Sequence, residues 1–433
     1  MLGQQVNARV RHDADKNGRS AVHKLALALV WITFASSGFV FSEPCPTDVL
    51  TVALIILLPV IGLVRIGREL AILLTVFAAA GAAGLLSATT AFDIDKATTH
   101  TTVSIFLYAG TFMIAAFIAA KPLEHTRIIF SGLTVASVIA ATAGLIGYFD
   151  LMAGSEIFTK FGRATGTFKD PNVFGPFLVP AFLYAIHRAL DRPLARTLLP
   201  LALAGFLGLG VFLSFSRGAW MNLLVALGIY VVLAFLTAPS NALRQKIAIL
   251  ALTGATLVAG VIGGALQIEK VASLVAERAS VAQSYDIGPD GRFGGQEKAV
   301  GLILEHPLGI GAGQFALVYH HEEPHNVYLS MPLNAGWVGA GLYMIVVGMT
   351  MIMGFIHCFK RREAQPLLLI AFAAFTANAF EGVIIDTDHW RHFYVLMAMV
   401  WGIATSPLAS AIPARLARGR QASPAFGQEN LAQ

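Results

Sequence analysis

Charge is what this chain has least of. Only 13% of its 433 residues are Asp, Glu, Lys or Arg, against about 25% in a typical soluble protein. A soluble chain of this length needs far more polar surface than that supplies. Cysteine is almost missing: Cys45 and Cys358 are the only two, which excludes a disulfide framework and a Cys-x-x-Cys metal motif. There is no internal repeat of the kind expected of a transporter built from two related halves, and no soluble domain interrupts the apolar stretches. What the chain does have is hydrophobic residues, 56% of the total, and 41 glycines. Its mean hydropathy is +0.69. These features predict an all-α integral membrane protein with closely packed helices. The basic head before Leu25 leads into an apolar stretch that no A-x-A cleavage site follows, so this first stretch reads as a retained helix.

A helix needs about 20 apolar residues to cross a bilayer. Twelve stretches meet that demand: 25–42, 48–64, 69–88, 102–120, 128–149, 172–190, 197–214, 218–237, 247–266, 333–357, 366–385 and 392–410. The domain organisation expected is a cytoplasmic segment 1–24, a membrane domain 25–410 and a disordered cytoplasmic tail 411–433. The net charge of +5 says little until it is divided by side, and no nucleic-acid partner is expected. With the N-terminus inside, 20 of the 30 basic and 7 of the 25 acidic residues fall on the inside, a balance of +13 against −8 outside. Every inside loop then holds at least two basic residues, as the positive-inside rule asks. This puts Cys45 and Cys358 on opposite sides. The long outside loop, 267–332, lies between spans nine and ten, and a long loop in a protein otherwise made of spans is where function is expected.

Three outside segments carry candidate chemistry. Arg217, in Ser214-Phe215-Ser216-Arg217-Gly218-Ala219-Trp220, is pinned at the membrane boundary by apolar helices on both sides. It reads either as a functional cation or as an arginine snorkelling to headgroups. The segment from Phe161 to Asn172 contains Arg163 and Lys169 ahead of a helix that Asp170 or Asn172 can cap. Two cations at a helix N-terminus make an anion site, and a solvated loop is the alternative. The long loop contains Arg292, then the run Gly309-Ile310-Gly311-Ala312-Gly313, and then His320-His321-Glu322-Glu323-Pro324-His325-Asn326. The glycine run is no dinucleotide fingerprint and reads as a tight turn. The histidine cluster has the composition of a metal site but not the spacing of a zinc motif. His325 is alternatively a general base. Asp386, Asp388, His389 and His392 form a further outside rim, read as a solvated loop in preference to a cation or sugar site. Glu381, near the outer end of its span, is expected to face the bundle interior.

Taken in order, these strings resemble the O-antigen ligase and polysaccharide polymerase superfamily, often called the Wzy-C family. The resemblance rests on Gly166-Thr167-Phe168 with Pro171-Asn172-Val173-Phe174-Gly175, then Phe215-Ser216-Arg217-Gly218-Ala219-Trp220. His306-Pro307-Leu308-Gly309-Ile310-Gly311 follows, with His325-Asn326-Val327-Tyr328-Leu329 and Gly336-Trp337-Val338-Gly339. It covers roughly residues 160–345. The resemblance implies an inverting, metal-independent glycosyltransferase without cofactor, working at the periplasmic face of the inner membrane. The implied donor is a glycan on undecaprenyl diphosphate. The implied acceptor is lipid A–core for a ligase, or a carrier-linked repeat for a polymerase. Arg217, Arg163 and Arg292 would hold the diphosphate and His325 would be the base, with Asn326, Lys169, Asn172 and Ser216 in support. A non-enzymatic flippase is the remaining alternative. It would carry charges in the middle of its spans, whereas this chain keeps nearly all of them at the ends.

Overall fold

The computed structural model of the chain describes residues 21–407, except 268, 270–271, 274–287 and 289–290. Most of the expected basic head, much of the loop 267–332 and the tail beyond 407 lie outside the described residues.

The described chain is mostly helical. Helices α1 (Ala21–Ala35), α2 (Pro46–Ile61), α3 (Arg68–Ala88), α4 (Ile94–Ala120) and α5 (Pro122–Tyr148) come first. They are followed by α6 (Pro171–Leu190), α7 (Leu198–Leu213), α8 (Arg217–Thr237) and α9 (Asn241–Ala265). Then come α10 (Arg292–Glu305), α11 (Val327–Cys358), α12 (Gln365–Glu381) and α13 (Arg391–Thr405). Six of these, α3, α4, α5, α6, α8 and α11, are long and apolar enough to cross a membrane, and α1, α2, α7 and α12 are shorter apolar helices.

Helix α12 is the centre. Its residues from Leu367 to Ala379 are all buried, the pattern of a helix apolar on every side and enclosed by others. It packs on α8 and α13, α13 packs on α4, α11 on α3, and α6 on α7. Glycine permits the closest approaches. Gly336, at φ +68, kinks α11, and a Cβ there would stand 2.7 Å from the Leu308 carbonyl carbon. The glycine run fits into this kink as a close-packed turn, with Ile310 N–H donating to Leu333 O at 2.8 Å and Trp337 N–H to Pro307 O at 2.9 Å.

Hydrogen bonds sort the helix ends. Arg163, Ser214, Arg292, Ile384, Ser104 and His389 meet at one end. The Arg65–Ala116, Lys246–Ala189 and Arg362–Ala404 contacts close the other.

Several boundaries differ from expectation: helices begin at Ile94, Pro122 and Asn241 where 102, 128 and 247 were expected. The helix expected from 333 starts at Val327, because Asn326 caps it by accepting from the Tyr328 N–H at 3.0 Å, a signal that an apolarity scan passes over. The loop 267–332 contains the 14-residue helix α10, whose charged residues keep it out of any search for spans.

Candidate functional site

The site is built at one end of the bundle, around the turn that leaves α12. Its first part is a miniature hairpin. Strands Thr159–Lys160 and Arg163–Ala164 pair antiparallel across Phe161 (φ 54) and Gly162 (φ 69). Two consecutive positive φ values make the tight turn that matches strand twist. The hairpin places Arg163 so that Nε donates to Ser214 O at 2.8 Å and Nη2 donates to Asn172 Oδ1 at 2.8 Å. One guanidinium therefore ties the hairpin to the α7–α8 corner and to the start of α6. Asp170 caps α6, its Oδ1 accepting from the Asn172 N–H at 2.7 Å. Just before that cap, Gly166 sits at φ +56, where a Cβ would lie 2.3 Å from Ala140 O. Gly166→Ala is expected to cost stability by about 2 kcal/mol or more, from strain and clash together. Thermal unfolding in detergent would show it as a lowered midpoint.

The second part is the three-residue corner 214–216 between α7 and α8. Ser216 Oγ caps α8 by accepting from the Ala219 N–H at 3.3 Å. The Trp220 indole donates to Phe212 O at 3.1 Å and stacks on the Phe212 ring, which fixes the corner. Arg217 is thus the first residue of a capped helix. Its cation lies where the helix dipole already favours an anion. Beneath it, Glu381 is 4% exposed. Asn222 Nδ2 donates to Glu381 Oε2 at 2.7 Å, and a Cβ on Gly218 would stand 2.5 Å from Glu381 Oε1. Glu381 faces the interior, as its position in the sequence implied.

The third part is His325, which has a positive φ of 50, an uncommon conformation for a side-chain-bearing residue. Several contacts hold it there. Arg292 Nη2 donates to His325 O at 3.2 Å and also to Ile384 O. Ser330 Oγ donates to Asp386 Oδ1 at 2.5 Å. His325 Nε2 lies 3.4 Å from Glu322 Oε2. With Nε2–H donating to Glu322, Nδ1 is the basic nitrogen. The Val327 N–H donates to Gly382 O at 2.8 Å, so the His325 segment and the Arg217 corner flank the same turn, residues 381–385.

The structure therefore sets Arg292, His325 and Asn326 on one side of the turn 381–385 and the α7–α8 corner with Ser216 and Arg217 on the other, with Arg163 tying that corner to Asn172. Lys169 is directed elsewhere: its ammonium pairs with Glu43 at 3.7 Å. His320 turns back on its own loop, its Nδ1 3.1 Å from Glu322 O. The rim expected to be solvated is not. Asp388 and His392 are 7% and 5% exposed, because α13 begins at Arg391 and draws the preceding residues against α4 and α12. His392 Nε2 lies 3.1 Å from Asn378 Oδ1. A cavity of about 570 Å³ at the opposite end, between His187, Tyr230 and Arg362, shares no residue with the site.

Burial, and then the neighbouring Asp386 carboxylate, push Glu323 up to about 7. Burial, and then Asp388, push Asp386 up to about 6. A carboxyl raised in the folded protein binds its proton more tightly there than in the unfolded chain. Its contribution to stability is present below the ordinary carboxylate range and is lost as pH rises through about 7. The unfolding midpoint should accordingly fall between about pH 5 and pH 8, and Glu323→Gln should flatten that fall.

Residues 202–344 match the O-antigen ligase family model. The match spans about a third of the chain. It includes Arg217, Arg292, His325 and the kink of α11, and it leaves Arg163 and Glu381 outside. No curated protein matches the chain.

Proposed function

From the support that residues 202–344 give to the O-antigen ligase superfamily, whose activity is of the ligase or polymerase type, we propose a membrane glycosyltransferase. It moves a glycan from undecaprenyl diphosphate to a hydroxyl of lipid A–core. The observation that carries this reading is that Arg292 with His325, and the Arg217 corner to which Arg163 is tied, flank the same turn, residues 381–385.

Arg217, at the first turn of α8, binds the diphosphate, with Arg163 and Arg292 beside it. Planar guanidinium groups match phosphate geometry. His325 Nδ1 takes the proton of the acceptor hydroxyl. The acceptor oxygen bonds to the anomeric carbon as the carbon–oxygen bond to the diphosphate breaks, which inverts that centre. Undecaprenyl diphosphate departs with its charge met by the guanidinium groups. Glu322 fixes the imidazole tautomer. Membrane lipids surround the carrier chain throughout.

The site is proposed to face the periplasm, on the strength of the +13 to −8 charge division. Both native cysteines are buried, so labelling background should be small. A membrane-impermeant maleimide should label His321→Cys from outside, and should label Lys360→Cys only after the inner membrane is breached. The reverse pattern would put the site in the cytoplasm and overturn the reading.

Deletion of the gene in its native host tests the acceptor. Unsubstituted lipid A–core alongside accumulated carrier-linked polymer supports the ligase. Carrier-linked single repeats without polymer make the protein a polymerase. Unchanged surface glycan contradicts both.

A further inference from the structure

His100, Asp388 and His389 lie outside the chemistry just proposed. Each offers one ligand atom, and these atoms all lie within 4.8 Å of one another. The set is non-local: His100 is on α4 and the other two are on the turn before α13. His100 Nε2 is 3.7 Å from Asp388 Oδ2, too far for a good hydrogen bond, and the Asp388 side chain is 10% exposed. A carboxylate so buried needs a partner with positive charge. The two imidazole rings stack with centroids 3.9 Å apart. His389 Nε2 lies 2.9 Å from Ser104 Oγ, which engages one ring nitrogen and leaves Nδ1 for a ligand. A hydrogen-bonded outer partner of this kind is how metal-bound histidines are usually oriented.

We propose that His100, Asp388 and His389 form a binding site for a divalent cation of the zinc class. Two imidazoles, one carboxylate and a water complete the four-coordinate set such a cation prefers. In a tetrahedral set, bonds of about 2.0–2.2 Å place donors roughly 3.3–3.6 Å apart. The three side chains thus need only small rotations to close on the ion. The cation clamps the turn 382–390 onto α4. That turn also carries Asp386, which accepts from Ser330 Oγ, and Ile384, whose carbonyl shares the Arg292 guanidinium with the His325 carbonyl. The clamp is therefore structural: it steadies the turn on which His325 rests and takes no part in the transfer step.

The test uses the full chain, purified without a histidine tag, in phospholipid nanodiscs, with Co²⁺ as the probe and Zn²⁺ as competitor. The expected result is one Co²⁺ per chain, with the visible absorption of a four-coordinate ion, displaced by Zn²⁺. Zn²⁺ should also raise the thermal unfolding midpoint. Asp388→Asn, which keeps the side chain's shape, and His389→Ala should each weaken binding more than tenfold and abolish the Zn²⁺-dependent rise. Ser104→Ala should weaken it about tenfold, as loss of an outer partner does. His320→Ala/His321→Ala should leave binding intact. Absence of bound Co²⁺, unchanged binding in both Asp388→Asn and His389→Ala, or binding lost only in His320→Ala/His321→Ala would overturn the assignment.

Discussion

Arg217→Lys is expected to lower glycan transfer about a hundredfold, the scale of losing a preorganised donor to developing charge, while protein level and unfolding midpoint stay near wild type. Lysine keeps the charge but presents a single ammonium where arginine presents a planar fork. The position has little freedom to compensate. Ser216 fixes the helix start, Trp220 clasps the corner, and the Glu381 carboxylate closes against Gly218. Arg217 is part-exposed, so the substitution leaves no cavity and a folding defect is not expected. Donor affinity should fall with the rate, because the same contact serves ground state and transition state. Transfer at the wild-type rate by both Arg217→Lys and Arg217→Ala would reduce Arg217 to an arginine reaching for lipid headgroups.

His325 should separate chemistry from binding. Its loss as general base is expected to cost roughly a hundredfold or more in transfer rate, with little change in donor affinity, since the arginines hold the diphosphate. The choice of substitution matters. His325 sits at φ 50, which asparagine tolerates better than alanine. His325→Asn therefore isolates the base from the backbone, and His325→Ala adds strain to the same chemical loss. Glu322→Gln, which weakens the partner of Nε2, should cost less than either. A normal rate on bound donor in well-folded His325→Asn, with poor donor binding, would make His325 a binding residue and leave the base elsewhere.

Much of this site was legible in the sequence because its cations are conspicuous against so apolar a background. Arg217, Arg163, Arg292 and His325 stand out for want of competitors, and the Asp170 cap follows from its place before Pro171. What was hidden depended on distance or brevity. The hairpin that aims Arg163 has strands of two residues, too short for any periodicity to reveal. Glu381 and Asn222 are 159 positions apart, so only packing of α12 on α8 joins them. Asp388 reads as a loop residue beside Asp386 and His389, and only the docking of that turn on α4 buries it. Lys169 looked like Arg163's companion by proximity in sequence, yet the parallel bridge between Val40 and Phe168 draws it toward Glu43.

The most direct test of the account is to reconstitute the purified protein in liposomes with lipid A–core and undecaprenyl-diphosphate oligosaccharide labelled in the sugar, and to follow both label and carrier. The account predicts that label passes to lipid A–core while free undecaprenyl diphosphate appears in equal amount, and that both changes slow roughly a hundredfold or more with His325→Asn. Donor that stays chemically intact while it redistributes between leaflets would contradict the account, because it would show a protein that moves the lipid without breaking its sugar–phosphate bond.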